Sequence, residues 1–197
     1  MDTLESITLT TGAAWASGIN LYATLLMLGY LASTGQIVLP PGLEPVADPK
    51  LMAVAAILYV IEFFADKAPG VDTVWDALHT FIRIPAGAML AMGAVGDNNQ
   101  AAYLAAALAG GALAANSHTI KAGGRVLINT SPEPFSNWTA SLGEDVAVLS
   151  GLWAALHYPW LFLTALMLFI LFSLWIMPRL WKGIQKIVET ICRFFLG

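Results

Sequence analysis

Apolar stretches, most of them long enough to cross a membrane, follow one another along almost the whole chain. A helix needs about 20 apolar residues to cross the hydrocarbon core of a bilayer. Charged residues make up 11% of the 197 residues and hydrophobic residues 58%. A soluble domain carries about 25% charged residues, and a disordered chain has few apolar ones. The sequence therefore predicts an all-α polytopic transmembrane helix bundle.

The predicted helices form a single transmembrane domain over residues 1–178, with five to six spans. The predicted boundaries are 7–33, 50–66, 74–95, 100–126, 139–156 and 159–177. One alternative stays open at residues 71–95. If this segment lies on the surface or re-enters the membrane, the count is five and the N-terminus lies outside.

The order of the spans is compatible with an inverted repeat, with halves at 7–95 and 100–177. The segment that starts at Gly12 resembles the one that starts at Gly111, 99 residues later. Three spans per half would place the halves in opposite orientations, as in many transporters. The matching residues are mostly Ala and Gly, so chance similarity is the alternative.

Residues 179–197 are predicted to form a cytoplasmic amphipathic helix that lies in the membrane interface. Its basic residues are Arg179, Lys182, Lys186 and Arg193. The positive-inside rule places this tail in the cytoplasm. Its expected partner is the anionic inner leaflet of a bacterial inner (plasma) membrane.

Ten charged residues lie within or beside the predicted spans. They are Glu62, Asp66, Lys67, Asp72, Asp76, Arg83, Lys121, Arg125, Glu144 and Asp145. A charged group at the bilayer centre costs about 2.5–3.5 kcal/mol on insertion scales. Each of them must therefore be paired or hydrated.

The spacing of these charges defines a candidate site. Glu62 and Asp66 lie one helical turn apart, and His118, Lys121 and Arg125 form a basic stripe on the fourth span. Two interpretations are open. The acidic and basic faces pair and lock the bundle, or they line a hydrated cavity that handles a proton, a cation or a small anion.

Further polar residues extend this site. The predicted ion- or solute-binding residues are Glu62, Asp66, Lys67, Asn20, Asn116, His118, Lys121, Arg125, Glu144 and Asp145. A supporting stripe on one face of the helix after residue 71 comprises Asp72, Asp76, His79 and Arg83. Two roles are open for Glu144-Asp145. The pair caps one of the cations, Lys121 or Arg125, or it contacts the solute. The histidines act in a proton relay or are hydrogen-bonded structural residues.

Other site types lack sequence support. The chain has one cysteine, Cys192, and no Cys/His spacing typical of a metal site. It has no basic run that predicts nucleic-acid binding, and we expect no cofactor. Homo-oligomerisation is left open.

Three strings carry a resemblance to a known family. They are Glu62-Phe-Phe-Ala-Asp66-Lys67-Ala-Pro69-Gly70-Val-Asp72, Ser131-Pro-Glu-Pro-Phe-Ser-Asn137 and Glu144-Asp145. The sequence resembles the bacterial membrane-protein family called domain of unknown function 4126. The resemblance implies a small integral inner-membrane protein, and it implies no activity and no residue role.

The function predicted first is a transporter or channel for a small ion or polar solute, and not an enzyme. The alternative is a non-catalytic scaffold or assembly factor whose charges lock the helices together. A membrane-embedded enzyme would use His79 or His118 with a carboxylate. The sequence contains no nucleophile or metal motif that favours this third class.

Overall fold

The computed structural model describes residues 3–95, 99–130 and 135–196, and this part of the chain is all helical. Six α-helices are joined by short connections, with a 3-10 segment at Pro41–Ala47. The helices are α1 (Thr3–Ser33), α2 (Pro49–Ala65), α3 (Val71–Val95), α4 (Gln100–Ile128), α5 (Phe135–His157) and α6 (Pro159–Leu196). Each predicted span falls on one of them.

Local sequence explains where several helices begin and end. Asp48 caps α2, because its carboxylate accepts hydrogen bonds from two backbone N–H groups of the first turn. Asn99 caps α4 in the same way. Gly35 follows α1 and Gly70 precedes α3 with positive φ angles of 72° and 84°. Glycine adopts this left-handed backbone without steric cost.

Helix α1 is broken at its middle. Asn20 has extended backbone angles, φ −145° and ψ 98°.

Near the start of α1, the Ser6 hydroxyl lies 3.5 Å from the carbonyl oxygen of Ala94, at the end of α3. The end of α1 returns to this region, since Gly29 packs on the segment before α2, and Gly42 of that segment touches Gly93.

A second set of contacts confirms that the two halves of α1 run back to the same end of the bundle. The Ile37 N–H donates to the carbonyl of Leu31, so Ile37 lies beside the end of the second half. Ile37 also packs in one core cluster with Leu9 of the first half. In a straight helix, residues 9 and 31 would lie about 33 Å apart, too far for Ile37 to lie beside both of them.

This fold-back differs from the predicted single crossing over 7–33. By length and composition α1 could cross a membrane. The break at Asn20 divides it into halves over 3–19 and 21–33, about 25 and 20 Å long. Each half is shorter than the about 20 residues that a crossing needs.

The folded-back α1 lies at the centre and contacts all five other helices. Helices α3 and α4 form an antiparallel pair with small residues at their contact. A Cβ atom on Gly110 would lie 2.3 Å from the Cβ of Ala91. A Cβ atom on Gly18 of α1 would lie 2.0 Å from the Ser117 hydroxyl oxygen of α4. Small residues thus let three backbones approach closely.

Helix α6 runs parallel to α4 and continues past its end. Ser173 contacts Asn116, and Gly183 contacts Leu127 near the end of α4. The tail predicted over 179–197 is helical as far as Leu196 and continues α6 directly, with Pro178 inside the helix. We call the end of the bundle with this tail the tail end. The end where α1 begins and finishes is the amino-terminal end.

Apolar side chains cover the outside of the bundle, and charged ones lie inside. Phe81 is 82% exposed and Leu108 78%, whereas Arg83 and Glu62 are fully buried. All four members of the polar stripe predicted on α3 are buried. Helices α1, α3 and α6 have stretches long and apolar enough to cross a membrane. Apolar exterior and charged interior are the properties of a membrane protein.

The structure does not support the predicted inverted repeat. Helix α1 folds back at Asn20, whereas α4 continues as one helix through the equivalent position, Thr119. The helices that begin the two halves therefore have different shapes.

Candidate functional site

Seven charged side chains from four parts of the chain meet near the tail end of the bundle. This charge cluster comprises Glu62 and Asp66 at the end of α2, Asp76 and Arg83 of α3, Lys121 and Arg125 of α4, and Glu144 of α5. Six of the side chains are at most 4% exposed, and that of Glu144 is 19% exposed. Burial at this level requires pairing between opposite charges.

Arg83 joins the acids of α2 and α3. Its Nη2 atom lies 2.5 Å from Oε1 of Glu62, and its Nη1 atom lies 3.1 Å from Oδ1 of Asp76. Asp76 and Arg83 are therefore direct members of the cluster. The sequence placed them only in a supporting stripe, because periodicity shows which residues share a face but not which helix they meet.

Lys121 lies at the centre of the cluster. Its Nζ atom lies 2.7 Å from Asp66 Oδ2, 3.3 Å from Glu62 Oε1 and 3.4 Å from Glu144 Oε2. Asp76 Oδ1 lies 3.8 Å away. The predicted contact between the acidic pair of α2 and the basic stripe of α4 is thus present in the fold.

Arg125 connects the cluster to α5. Its Nε and Nη2 atoms donate to the two carboxylate oxygens of Glu144, at 3.1 and 2.7 Å. Its Nη1 atom donates to the backbone carbonyls of Asp66 and Asn137. This contact corresponds to the first of the two roles predicted for Glu144, in which it caps a cation.

The break in α1 lies directly on this cluster. The carbonyl oxygen of Ile19, the last residue before the break, accepts a hydrogen bond from Lys121 Nζ at 3.2 Å. The Asn20 side chain caps the second half, because its oxygen accepts from the Ala23 N–H. Its nitrogen donates to Asp145 at 3.0 Å. A cation thus meets the negative end of one half-helix, as the helix dipole favours.

Asp145 points away from Glu144, as expected for neighbours on a helix. It accepts hydrogen bonds from Asn20 and, at 3.2 Å, from the Tyr59 hydroxyl. Tyr59 was not among the predicted site residues. The sequence did offer a signal for Tyr59, because this residue lies one turn before Glu62 on the same face of α2.

A cleft between α4 and α5 reaches the cluster from the side. Its volume is about 330 Å³. Lys121, Arg125 and Glu144 line it together with apolar residues such as Ile120 and Phe169. Glu62 and Asp66 are not among its lining residues. The cleft therefore offers access to the basic side of the cluster.

The two predicted histidines contact different partners. His118 Nδ1 lies 3.2 Å from Arg83 Nη1, which can only donate, and His118 Nε2 lies 2.7 Å from the Thr80 hydroxyl oxygen. His79 lies outside the cluster, with its ring nitrogens near the Tyr22 hydroxyl and the carbonyl of Trp75. Within the described ranges, no group of three or more His, Cys, Asp or Glu could hold a metal ion.

Three other predicted residues lie at the margin. Lys67 donates to the Ser141 hydroxyl, and burial lowers the pKa of its ammonium while the Asp145 and Asp66 carboxylates oppose this shift. Asp72 accepts from Asn129 at 2.7 Å near the start of α3. Asn116 faces α6, where it donates to Ser173, and does not join the cluster.

A comparison of the sequence with known protein families identifies the family of this chain. The family model described as Domain of unknown function (DUF4126) matches residues 7–179. The chain belongs to this family. The matched range contains the whole charge cluster and the break in α1. No curated protein and no solved structure matches the sequence.

Proposed function

We propose that this protein is a transporter or channel for a small ion or polar solute, with its site at the charge cluster and the tip of α1. The observation that carries the proposal is the break at Asn20. A helix that ends inside a bundle exposes backbone groups and a partial charge. Both ends at the break contact charged side chains, the buried Lys121 and the half-buried Asp145. Many transporters bind their substrates at such discontinuous helices.

The proposed arrangement in the membrane has five crossings, α2 to α6, with α1 re-entering from the outside. Both ends of α1 then lie on the outer side, and the basic tail lies in the cytoplasm. The charges support this orientation. Among the described residues, Lys50 is the one basic residue near the amino-terminal end, whereas Arg179, Lys182 and Lys186 lie at the tail end. Basic residues are enriched on the cytoplasmic side of membrane proteins.

An ion-flux assay tests the proposal. Purified protein in liposomes should dissipate an imposed proton, sodium, potassium or chloride gradient faster than protein-free liposomes do. Asp145→Asn should slow this flux at least tenfold, because it removes the charge at the tip of α1 while keeping the side-chain shape. Ser150→Ala is the matched control, since Ser150 lies on the exposed face of α5. Its flux should equal that of the wild type.

A non-catalytic scaffold is the second candidate, and the completeness of the pairing favours it. Every acid of the cluster lies within 4 Å of a base, as in a bundle locked by charge. If folded protein dissipates none of the tested gradients, the transport proposal fails and the scaffold replaces it.

A further inference from the structure

The charge cluster contains one more acid than base. The ion pairs link four carboxylates, those of Glu62, Asp66, Asp76 and Glu144, to three cations, those of Arg83, Lys121 and Arg125. With all groups ionised, the cluster carries a net charge of −1, four negative against three positive. An unbalanced buried charge is strongly unfavourable. One further positive charge, or one proton, is therefore required.

The neighbouring titratable groups do not supply that charge. His118 Nδ1 faces an N–H of Arg83 and must accept a hydrogen bond, which requires a neutral ring. His79 makes its contacts with Trp75 and Tyr22. Lys67 lies at the margin on Ser141, where the charge of Asp145 offsets its own.

The last neighbouring acid, Asp72, is satisfied locally. Its carboxylate accepts hydrogen bonds from the backbone N–H groups of Gly70 and Thr73 and from the Asn129 side chain. The described cluster also lacks a metal-binding arrangement of His, Cys, Asp and Glu. A proton on one of the four carboxylates neutralises the cluster without any further ion.

Hydrogen-bond geometry selects the carboxylate that holds this proton. Glu62 accepts from both Arg83 and Lys121, Asp66 lies 2.7 Å from Lys121, and Glu144 accepts two bonds from Arg125. Among the described residues, Asp76 has the longest of these closest contacts to a cation, a hydrogen bond from Arg83 at 3.1 Å, and Lys121 lies 3.8 Å away.

Burial is common to Asp76 and Glu62 and leaves the choice to their contacts with cations. Asp76 is 1% exposed. Its Oδ2 atom is buried and has no hydrogen-bond partner among the residues that the structure describes. Glu62 Oε2 and Asp66 Oδ1 share this property, but the other oxygen of each lies closer to cations. We propose that Asp76 is a proton-binding site, protonated at neutral pH, and that the proton is the ion that this protein couples or conducts.

A route for proton exchange follows from the positions of Lys121 and Glu144. Lys121 lies between the Asp76 and Glu144 carboxylates, and Glu144 lines the cleft between α4 and α5. In release, the Lys121 ammonium gives one proton to Glu144 and takes up the proton of Asp76, whose O–H bond breaks and leaves its electron pair on the carboxylate. Glu144 then releases its proton to water. This role in transport rests on the proposed function. The position of the proton rests on charge and geometry alone.

Infrared difference spectroscopy of the purified protein tests the position. At neutral pH the wild type should show the carbonyl band of a protonated carboxyl group, shifted by exchange into heavy water. Asp76→Asn should remove this band. Glu44→Gln, a change of an exposed acid in the 3-10 segment, should retain it. Asp76→Asn should also leave the unfolding midpoint close to that of the wild type, because it replaces one neutral group by another.

Three results would overturn the inference. The first is a wild type with no such band at neutral pH. The second is a band that survives Asp76→Asn and disappears in Glu62→Gln, which assigns the proton to Glu62. The third is an unfolding midpoint that falls as far in Asp76→Asn as in Glu62→Gln. Failure of the proposed function alone gives a different result. The infrared band is then present and assigned to Asp76, but the protein shows no ion flux.

Discussion

At the scale of single residues, Glu62 has the greatest structural consequence. It is fully buried, and its Oε1 atom accepts hydrogen bonds from both Arg83 and Lys121. We expect Glu62→Gln to lower the free energy of unfolding by about 3–5 kcal/mol, since with Asp76 protonated the loss of this carboxylate leaves the cluster with one buried positive charge in excess. Chemical denaturation in detergent measures this change. Glu44→Gln on the exposed 3-10 segment should have no effect, and equal stability of the two variants would contradict the pairing.

Periodicity predicted much of the site but not its centre. It correctly placed Glu62 and Asp66 on one face of a helix and Lys121 and Arg125 on one face of another. It could also have excluded Asn116, which lies about 140° from Lys121 around a helix of 100° per residue. The central positions of Asp76 and Arg83 depend on which helices pack together, and no local pattern contains that information.

At the scale of elements, the fold-back of α1 is the feature that sequence reasoning did not predict. Apolar residues continue on both sides of Asn20, so hydropathy indicates one long helix. The break is stabilised by partners distant in sequence, Lys121 on the carbonyl of Ile19 and Asp145 on the Asn20 side chain. Polar residues near Ser17 and Asn20 showed only that this helix faces protein.

A charge exchange between α1 and α5 tests this contact. Asn20→Asp keeps the cap on Ala23 but places a second carboxylate against Asp145, so we expect stability to fall by about 1–3 kcal/mol. Combining it with Asp145→Asn restores one donor and one acceptor and should recover at least half of the loss. A double-mutant cycle of unfolding free energies measures the coupling. Additive effects would show that the two side chains do not touch.

Close packing of α1 on α4 gives a second test at this scale. A methyl group on Gly18 would lie 2.3 Å from the backbone oxygen of Ala114, which cannot move aside. We expect Gly18→Ala to cost about 1–3 kcal/mol of stability. Gly143→Ala on α5 is the control, since nothing lies within 4 Å of its Cβ position. That variant should be neutral or slightly stabilised by the helix propensity of alanine, and equal destabilisation of both would contradict the packing.

At the scale of the whole molecule, an apolar exterior surrounds an interior rich in ion pairs. Composition predicted this class, because so few charged residues cannot cover a soluble surface. The helix boundaries also followed from the sequence, because Pro, Gly and polar residues separate the apolar stretches. The fold-back of α1 did not, since a helix that folds back and one that continues straight can have the same hydropathy.

The claim on which the site depends is that α1 turns back within the membrane. Its most direct test is the reaction of single cysteines with a membrane-impermeant maleimide, in right-side-out and inverted vesicles. Replacing the lone cysteine by Cys192→Ser provides the background, into which Thr3→Cys, Thr34→Cys or Thr130→Cys is introduced. We expect the cysteines at positions 3 and 34, before and after α1, to react from the same side. The one at position 130 should react from the opposite side, as natural Cys192 should in the unmodified protein. Reaction of positions 3 and 34 from opposite sides would mean that α1 crosses the membrane once, and would contradict the proposed site.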